Sequence, residues 1–143
     1  MPTERSIDIL LIDDDDGHAL LVEESLRDAG LRNGFERARD GLEGWQWLSE
    51  GAAGGRTLPG LVLLDVSMPG LDGYEVLERI KTTPMLRHIL VIMLTSTDAP
   101  REIERCYQLG ANAYVVKPVD FESLHQKVRT LGLFLQIIEV IDN

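Results

Sequence analysis

The stretch Leu61-Val62-Leu63-Leu64-Asp65 decides the fold of this chain. Four consecutive aliphatic residues are typical of a strand buried on both faces, as in the middle of a parallel sheet. The run ends at a carboxylate, and the Pro69-Gly70 pair that follows cannot continue a strand or start a helix directly. Asp65 is therefore predicted at the carboxyl end of a central strand, where open α/β sheets bind their ligands. An isolated aspartate at a strand end more often only caps the next turn. The role of Asp65 therefore depends on which residues lie at the ends of the other strands.

Four further strand-like segments alternate with helical segments along the chain. Apolar runs lie at residues 7–12 and 89–94, a shorter one lies at 113–116, and residues 35–39 form a weak, polar one. Strands that alternate with helices imply a parallel sheet covered on both faces. A polar strand belongs at a sheet edge. We therefore predict an α/β fold, a flavodoxin-like (βα)5 three-layer sandwich with strand order 2-1-3-4-5.

The composition limits the classes of function. The chain has 24 acidic and 14 basic residues, a net charge of −10, so it offers no basic face for nucleic acid. The single cysteine, Cys106, excludes an internal disulfide and fits a reducing compartment. Neither a signal peptide nor a membrane span is visible. We expect one cytoplasmic domain over residues 1–143, with no nucleic-acid or membrane partner.

Polar side chains follow four of the predicted strands. Asp13 and Asp14 follow the first, Asp65 ends the third, and Thr95 and Lys117 follow the fourth and fifth. Right-handed crossovers bring these strand ends to one rim of the sheet. Three neighbouring carboxylates repel one another unless a cation lies among them, and with oxygen ligands only, Mg²⁺ fits best. The ammonium and hydroxyl groups are suited to hold the oxygens of a phosphoryl group on the third-strand carboxylate.

Four consecutive carboxylates, from Asp13 to Asp16, follow the first strand. A helix start needs only one of them as its cap, and Asp16, directly before Gly17, is the expected cap. The surplus of acidic side chains favours the metal-site interpretation for the first two.

Four segments carry a resemblance to a known family. They are Ile12-Asp13-Asp14-Asp15, residues 64–73, Leu94-Thr95-Ser96 and residues 114–118. Each segment is a weak signal alone, but all four occur in order and each at a predicted strand end. Over residues 6–131 the chain thus resembles the receiver domain of two-component response regulators.

A more specific resemblance is to single-domain regulators paired with bacterial phytochrome kinases. The Gly-rich connection before Pro59, the Asp16-Gly17-His18-Ala19 start of the first helix and the long apolar tail carry it. This resemblance implies a sensor histidine kinase as partner, with a phytochrome kinase as one candidate.

The family resemblance implies a phosphoryl acceptor and a metal site. Asp65 would accept the phosphoryl group from a phosphohistidine of the kinase. Asp14 would bind Mg²⁺ directly, Asp13 mostly through water, and the main-chain carbonyl of Ser67 would supply a further ligand beside Asp65.

The resemblance also implies a switch. Thr95 and Lys117 would hold the phosphoryl oxygens, and Tyr114 would be the aromatic residue that moves with Thr95. The Lys117–Pro118 peptide bond would be cis, as in the family.

These features predict a phosphoacceptor signalling protein that catalyses only its own phosphorylation and dephosphorylation. Its signal would be a conformational change at the fourth and fifth strand–helix units. An output domain would need on the order of 60 further residues, so we expect the signal to pass by surface contact to a downstream protein or a phosphotransfer partner.

Three alternative functions share parts of the pattern. A phosphatase of the haloacid dehalogenase type needs a second aspartate two residues after the nucleophile, where this chain has Ser67. A flavodoxin-type binder needs a Ser/Thr-rich phosphate loop after the first strand, where this chain has carboxylates. A receiver-like binding module that works without phosphorylation remains the alternative, although the set Asp65, Thr95 and Lys117 disfavours it.

An apolar C-terminal helical extension is predicted at about residues 132–143. One apolar stripe of the last helix suffices to cover the sheet, yet apolar residues also occupy its other faces: Leu133, Phe134, Ile137, Val140 and Ile141. A helix that is apolar nearly all round is either buried or held in an interface. We therefore predict a homodimer through the C-terminal helix region, and a tail folded over its own domain is the alternative.

Overall fold

A computed structural model describes residues 8–30, 34–117 and 120–141, with side chains up to Gly132. Five parallel strands alternate with five helices, and the strand order is β2-β1-β3-β4-β5. The elements are β1 (Ile9–Ile12), α1 (Asp16–Asp28), β2 (Phe35–Ala38), α2 (Gly41–Ala52), β3 (Leu61–Asp65), α3 (Gly73–Thr82), β4 (Leu90–Thr95), α4 (Pro100–Gln108), β5 (Ala113–Val116) and α5 (Phe121–Ile141). The predicted flavodoxin-like fold is confirmed.

Two apolar cores lie on opposite faces of the sheet, because successive side chains of a strand point to opposite faces. Leu10 and Ile12 of β1 pack in one core with side chains of α2, α3 and α4. Ile9 and Leu11 pack in the other core with side chains of α1 and α5. This division confirms the three layers. All five residues of β3 are buried, whereas β2 lies at an edge and buries only Ala38, as its polar sequence predicts.

The start of α1 corrects one expectation. The cap of this helix is Asp15, whose Oδ1 accepts a hydrogen bond from the main-chain N–H of His18 at 2.9 Å. Asp16 is instead the first helical residue, and its carboxylate pairs with Arg37 of β2 at 2.6 Å. The prediction of Asp16 as cap was wrong because the cap residue must keep an extended backbone, which Asp15 has.

The connection from β3 to α3 is tight. Gly70 has φ +73°, a conformation that favours glycine. Gly73 lies so close to the strand end that a Cβ there would lie 2.3 Å from the carbonyl oxygen of Asp65 and 2.8 Å from Cα of Val66. Its N–H donates to the carbonyl of Val66 at 3.1 Å. The start of α3 is thereby held directly against the residue that ends the central strand.

Helix α5 continues to Ile141 and includes most of the predicted C-terminal extension. Leu124 and Val128 are buried against the sheet. The side chains after Gly132 lie outside the described residues, so the role of the extension and the domain limits of 1–143 stay predictions. Within the part of the chain that the structure describes, no helix has the length and apolar character needed to cross a membrane.

We predict that Gly73→Ala lowers the free energy of unfolding by about 1–3 kcal/mol, the usual cost of overpacking. The new methyl group would overlap main-chain atoms of Asp65 and Val66, which cannot rotate away. Urea unfolding followed by circular dichroism measures the change. The matched control is Gly17→Ala near the start of α1, where the nearest atom would be 3.4 Å away. We expect this control to be neutral or stabilising, and equal midpoints for both variants would contradict the tight turn.

Candidate functional site

Three carboxylates meet where β1 and β3 end. One oxygen atom from each of Asp13, Asp14 and Asp65 lies within 4.8 Å of the other two. Asp13 and Asp65 are buried, with 0% and 5% of their surface exposed, whereas Asp14 is exposed. Because β1 and β3 are adjacent and parallel, their carboxyl ends share one rim. The structure thus brings together the three acidic residues that the sequence predicts at this site.

Lys117 enters the same site from the end of β5. Its Nζ lies 3.3 Å from Oδ2 of Asp65 and 3.7 Å from Oδ2 of Asp13, and only 8% of its side chain is exposed. Its main-chain N–H donates to the carbonyl of Thr95 at 2.6 Å, which continues the pairing of β5 with β4. One ammonium group therefore pairs with two of the three carboxylates, and negative charge remains in excess.

Burial raises the pKa of Asp65 to about 6. Lys117 opposes this rise in pKa, the charge of Asp13 adds to it, and the N–H of Ser67, which donates to Oδ1 of Asp65 at 3.2 Å, also opposes it. The loss of hydration is the largest of these effects. Asp65 is consequently a carboxylate whose negative charge is only partly compensated by its surroundings.

The second buried carboxylate has an unsatisfied oxygen. Oδ1 of Asp13 accepts a hydrogen bond from the N–H of Asp15 at 2.9 Å. Its Oδ2 is buried and has no hydrogen-bond donor in the described part of the chain, because the Lys117 ammonium 3.7 Å away forms an ion pair beyond hydrogen-bond distance. A buried oxygen without a donor costs about 1–3 kcal/mol. Three converging carboxylates with one unsatisfied oxygen fit a hard divalent cation such as Mg²⁺, which prefers oxygen ligands.

Arg37 is a site residue that the sequence reasoning missed. From the edge strand β2, its Nε and Nη2 donate to the main-chain carbonyl of Asp13 at 3.1 and 2.8 Å, and its Nη1 pairs with Asp16. Only 19% of its side chain is exposed. The sequence did contain a signal: Arg37 lies in the predicted polar strand. In the structure it pairs with Leu11, two residues before Asp13, so it lies close to the acidic end of β1. Its contacts hold the backbone that carries Asp13.

Thr95 and Tyr114 lie on the two neighbouring strands β4 and β5. Thr95 is 5% exposed, and its Oγ1 accepts a hydrogen bond from the N–H of Thr97 at 3.1 Å. The ring of Tyr114 stands edge-on to Tyr107 of α4, with 5.8 Å between ring centroids. No hydrogen bond joins Tyr114 to Thr95 among the described residues, so their coupling stays a prediction.

Two predictions about this rim remain open. Ser67 is exposed in the β3–α3 connection, and the role of its main-chain carbonyl as a metal ligand stays a prediction. Pro118 lies outside the described residues, so the isomer of the Lys117–Pro118 bond is untested.

Comparison with known proteins identifies the family. The response regulator receiver domain family matches residues 9–129. The chain belongs to this family. Among curated proteins, the probable methanogenesis regulatory protein FilR2 of Methanothrix harundinacea is 37% identical over 123 residues, which cover 86% of this chain and 79% of that protein.

Solved receiver structures superpose closely on this one. A response regulator receiver domain from Rhodospirillum rubrum is 41% identical with a TM-score of 0.85, over 92% of this chain and 94% of that chain. The phosphorylated cyanobacterial phytochrome response regulator RcpA is 30% identical with a TM-score of 0.85, over 92% and 95% of the two chains. The predicted resemblance to phytochrome response regulators is confirmed.

We predict that Asp65→Asn stabilises the receiver when divalent cations are removed by a chelator. The folded protein binds a proton at Asp65 more tightly than the unfolded chain, because the pKa is about 6 instead of 3.8. Wild-type stability should therefore rise, relative to the variant, as the pH falls from 7 through 6 towards 4. At pH 7 the variant should be more stable by up to about 3 kcal/mol.

Urea unfolding of both proteins at several pH values measures this difference. Groups remote from Asp65 titrate alike in both proteins and cancel in the comparison, so the difference reports Asp65 together with its charged neighbours Asp13 and Lys117. Parallel stability profiles between pH 4 and about pH 7 would contradict the raised pKa.

Proposed function

We propose that this receiver domain is a phosphoacceptor switch in which Asp65 accepts a phosphoryl group from a phosphohistidine of a sensor histidine kinase. The main support is the position of the Asp65 carboxylate. It is buried, lies 3.3 Å from the Lys117 ammonium and is grouped with Asp13 and Asp14. A cytoplasmic location belongs to the proposal, since such kinases use ATP. The relation to phytochrome regulators makes a phytochrome kinase a candidate partner.

The transfer is a displacement at phosphorus. A carboxylate oxygen of Asp65 attacks, the new P–O bond forms, and the P–N bond to the kinase histidine breaks with its electron pair going to the imidazole. Lys117, already in contact with Asp65, pairs with a phosphoryl oxygen. The Thr95 hydroxyl accepts from Thr97, so its own proton can be donated to a second phosphoryl oxygen. The chain thus supplies the nucleophile and two groups that stabilise the transferred charge.

Mg²⁺ is the proposed cofactor, held by Asp13, Asp14, Asp65 and the carbonyl of Ser67. When bound, the ion neutralises carboxylate and phosphoryl charge. The chain prepares this ligand set without the ion, since the N–H of Asp15 fixes one oxygen of Asp13 and Arg37 anchors its carbonyl. The unsatisfied Oδ2 of Asp13 supports the assignment.

The signal is proposed to pass through the fourth and fifth strand–helix units. A Thr95 hydroxyl drawn towards a phosphoryl group would pull on the hydrogen bond that it accepts from Thr97 in the β4–α4 connection. Tyr114 packs edge-on against Tyr107 of α4, so a movement of the Tyr114 ring would break or shift a contact with that helix. A downstream protein or phosphotransfer partner would recognise the rearranged surface.

A homodimer is also proposed. Helix α5 is 21 residues long, about 32 Å, and continues past Val128, which is the last fully buried apolar side chain among those of the helix that the structure describes. The sequence after Gly132 is apolar on several faces. A twofold contact through this segment and the adjoining fourth and fifth units would cover it. A tail folded over its own domain is the alternative.

We predict that the protein gains one phosphoryl group when incubated with Mg²⁺ and a small acyl phosphate. Intact-mass measurement detects the gain. Asp65→Asn should abolish it because the nucleophile is lost, while circular dichroism remains unchanged. Chelation of Mg²⁺ should abolish it in the wild type, and Asp14→Ala should reduce it by at least about tenfold if the ion stabilises the transferred charge.

The control is Asp28→Asn, which removes an exposed carboxylate from the far end of α1 and should leave labelling intact. Labelling that persists in Asp65→Asn or without Mg²⁺ would contradict the proposal. A folded wild type that is never labelled would favour the binding module that works without phosphorylation.

We predict that removal of the apolar C-terminal segment converts the dimer into a monomer. The full chain should sediment as a dimer at micromolar concentration, and a chain that ends at Leu131 should sediment as a monomer because the apolar segment is removed. Circular dichroism establishes that the shortened chain is folded. Two monomeric and equally soluble proteins would refute the dimer and favour a tail that folds back.

A further inference from the structure

A groove of about 500 Å³ lies beside the acidic rim, between the β3–α3 connection and α4. Residues 66–69 form one wall, and Asp72, Tyr74 and Glu102 complete the lining. The carboxylates Asp13, Asp14 and Asp65 do not line it, so this groove is distinct from the proposed phosphorylation site.

Tyr74 lines this groove and has a buried hydroxyl without a hydrogen-bond partner among the described residues. Only 7% of the residue is exposed. Buried tyrosine hydroxyls normally have a partner, because their loss of hydration is otherwise uncompensated. A phenylalanine would fill the same space without this cost. The hydroxyl therefore indicates a ligand that donates or accepts a hydrogen bond here.

The charged side chains that line the groove are acidic. Asp72 caps α3 through one oxygen, which accepts from the N–H of Glu75 at 3.0 Å, and Glu102 is exposed in the first turn of α4. Neither carboxylate has an ion-pair partner within the described residues. Arg105 lies over the face of the Tyr74 ring, 4.0 Å from its centroid, and so leaves the hydroxyl edge unpaired. The groove thus offers acceptors to a cation.

We propose that this groove binds an arginine side chain of a partner polypeptide. A guanidinium group has five N–H donors in a flat fork, so it can serve both carboxylates and the tyrosine oxygen together. An ammonium group has three donors at one point and reaches such spread acceptors less well. The net charge of −10 also favours a basic partner.

The walls of the groove favour a side chain over a small cation. Met68 is buried and Pro69 exposed beside the polar groups, so together they offer apolar surface to the methylene stem of an arginine. One wall follows directly after Asp65 in the chain and the other belongs to α4. An arginine bound between them would link the two elements, whether or not the protein is phosphorylated.

The test uses the full, unphosphorylated chain and the peptide acetyl-Gly-Arg-Gly-amide, followed by NMR. We expect saturable shifts at Tyr74 and Glu102, and much weaker binding of the same peptide with citrulline, which lacks the charge. Tyr74→Phe and Glu102→Gln should each weaken binding about fivefold, as expected for one lost hydrogen bond. The matched control is Glu104→Gln, which makes the same charge change on the same helix outside the groove and should bind normally.

Tyr74→Phe keeps the ring and its packing, so the variant should remain folded, which its NMR spectrum reports directly. Unchanged binding by this variant, or equal binding of the citrulline peptide, would overturn the proposal. Displacement of the peptide by millimolar Mg²⁺ would overturn it as well, because the arginine would then occupy the cluster of Asp13, Asp14 and Asp65. The test uses the unphosphorylated protein, so its outcome does not depend on whether Asp65 can be phosphorylated.

Discussion

The repulsion among three carboxylates at one rim, opposed by the ammonium group of Lys117, is the constraint on which this receiver domain depends. Asp13 and Asp65 are buried almost completely, and Lys117 reaches both from the end of β5. The arrangement requires β1 and β3 to be adjacent and β5 to follow β4, which the strand order supplies. A deficit of positive charge in a buried site makes the site respond strongly to any added cation or phosphoryl group.

The surrounding structure holds the charged groups in position at a cost to stability. Arg37 binds the carbonyl of Asp13, and Gly73 lets the start of α3 contact the end of β3. Two large apolar cores, one on each face of the sheet, compensate for the unfavourable charges at its rim. Such local costs are common where a protein must change state on binding.

The connection after Asp65 lies between two surfaces of the molecule, the acidic rim and the groove beside α4. Its first residues bound the acidic rim, and its outer side forms the groove with α4. Tyr74 lies in the first turn of α3, and its hydroxyl has no hydrogen-bond partner among the described residues, while Tyr107 on α4 packs against Tyr114 of β5. Helix α4 therefore contacts both the groove and the aromatic residue of the proposed switch. An event at either surface can change the position of this helix for the other.

The sequence by itself determined the fold, because unbroken aliphatic runs that end in polar residues leave little choice but a parallel sheet covered by helices. It also determined which carboxylates, and which lysine, meet at the rim, since parallel strands share their carboxyl ends. Only the tertiary structure decided that Arg37 holds the backbone of Asp13, and that the Tyr74 hydroxyl and Oδ2 of Asp13 have no hydrogen-bond partner among the described residues. These facts depend on distances between segments far apart in the chain, which no local pattern contains.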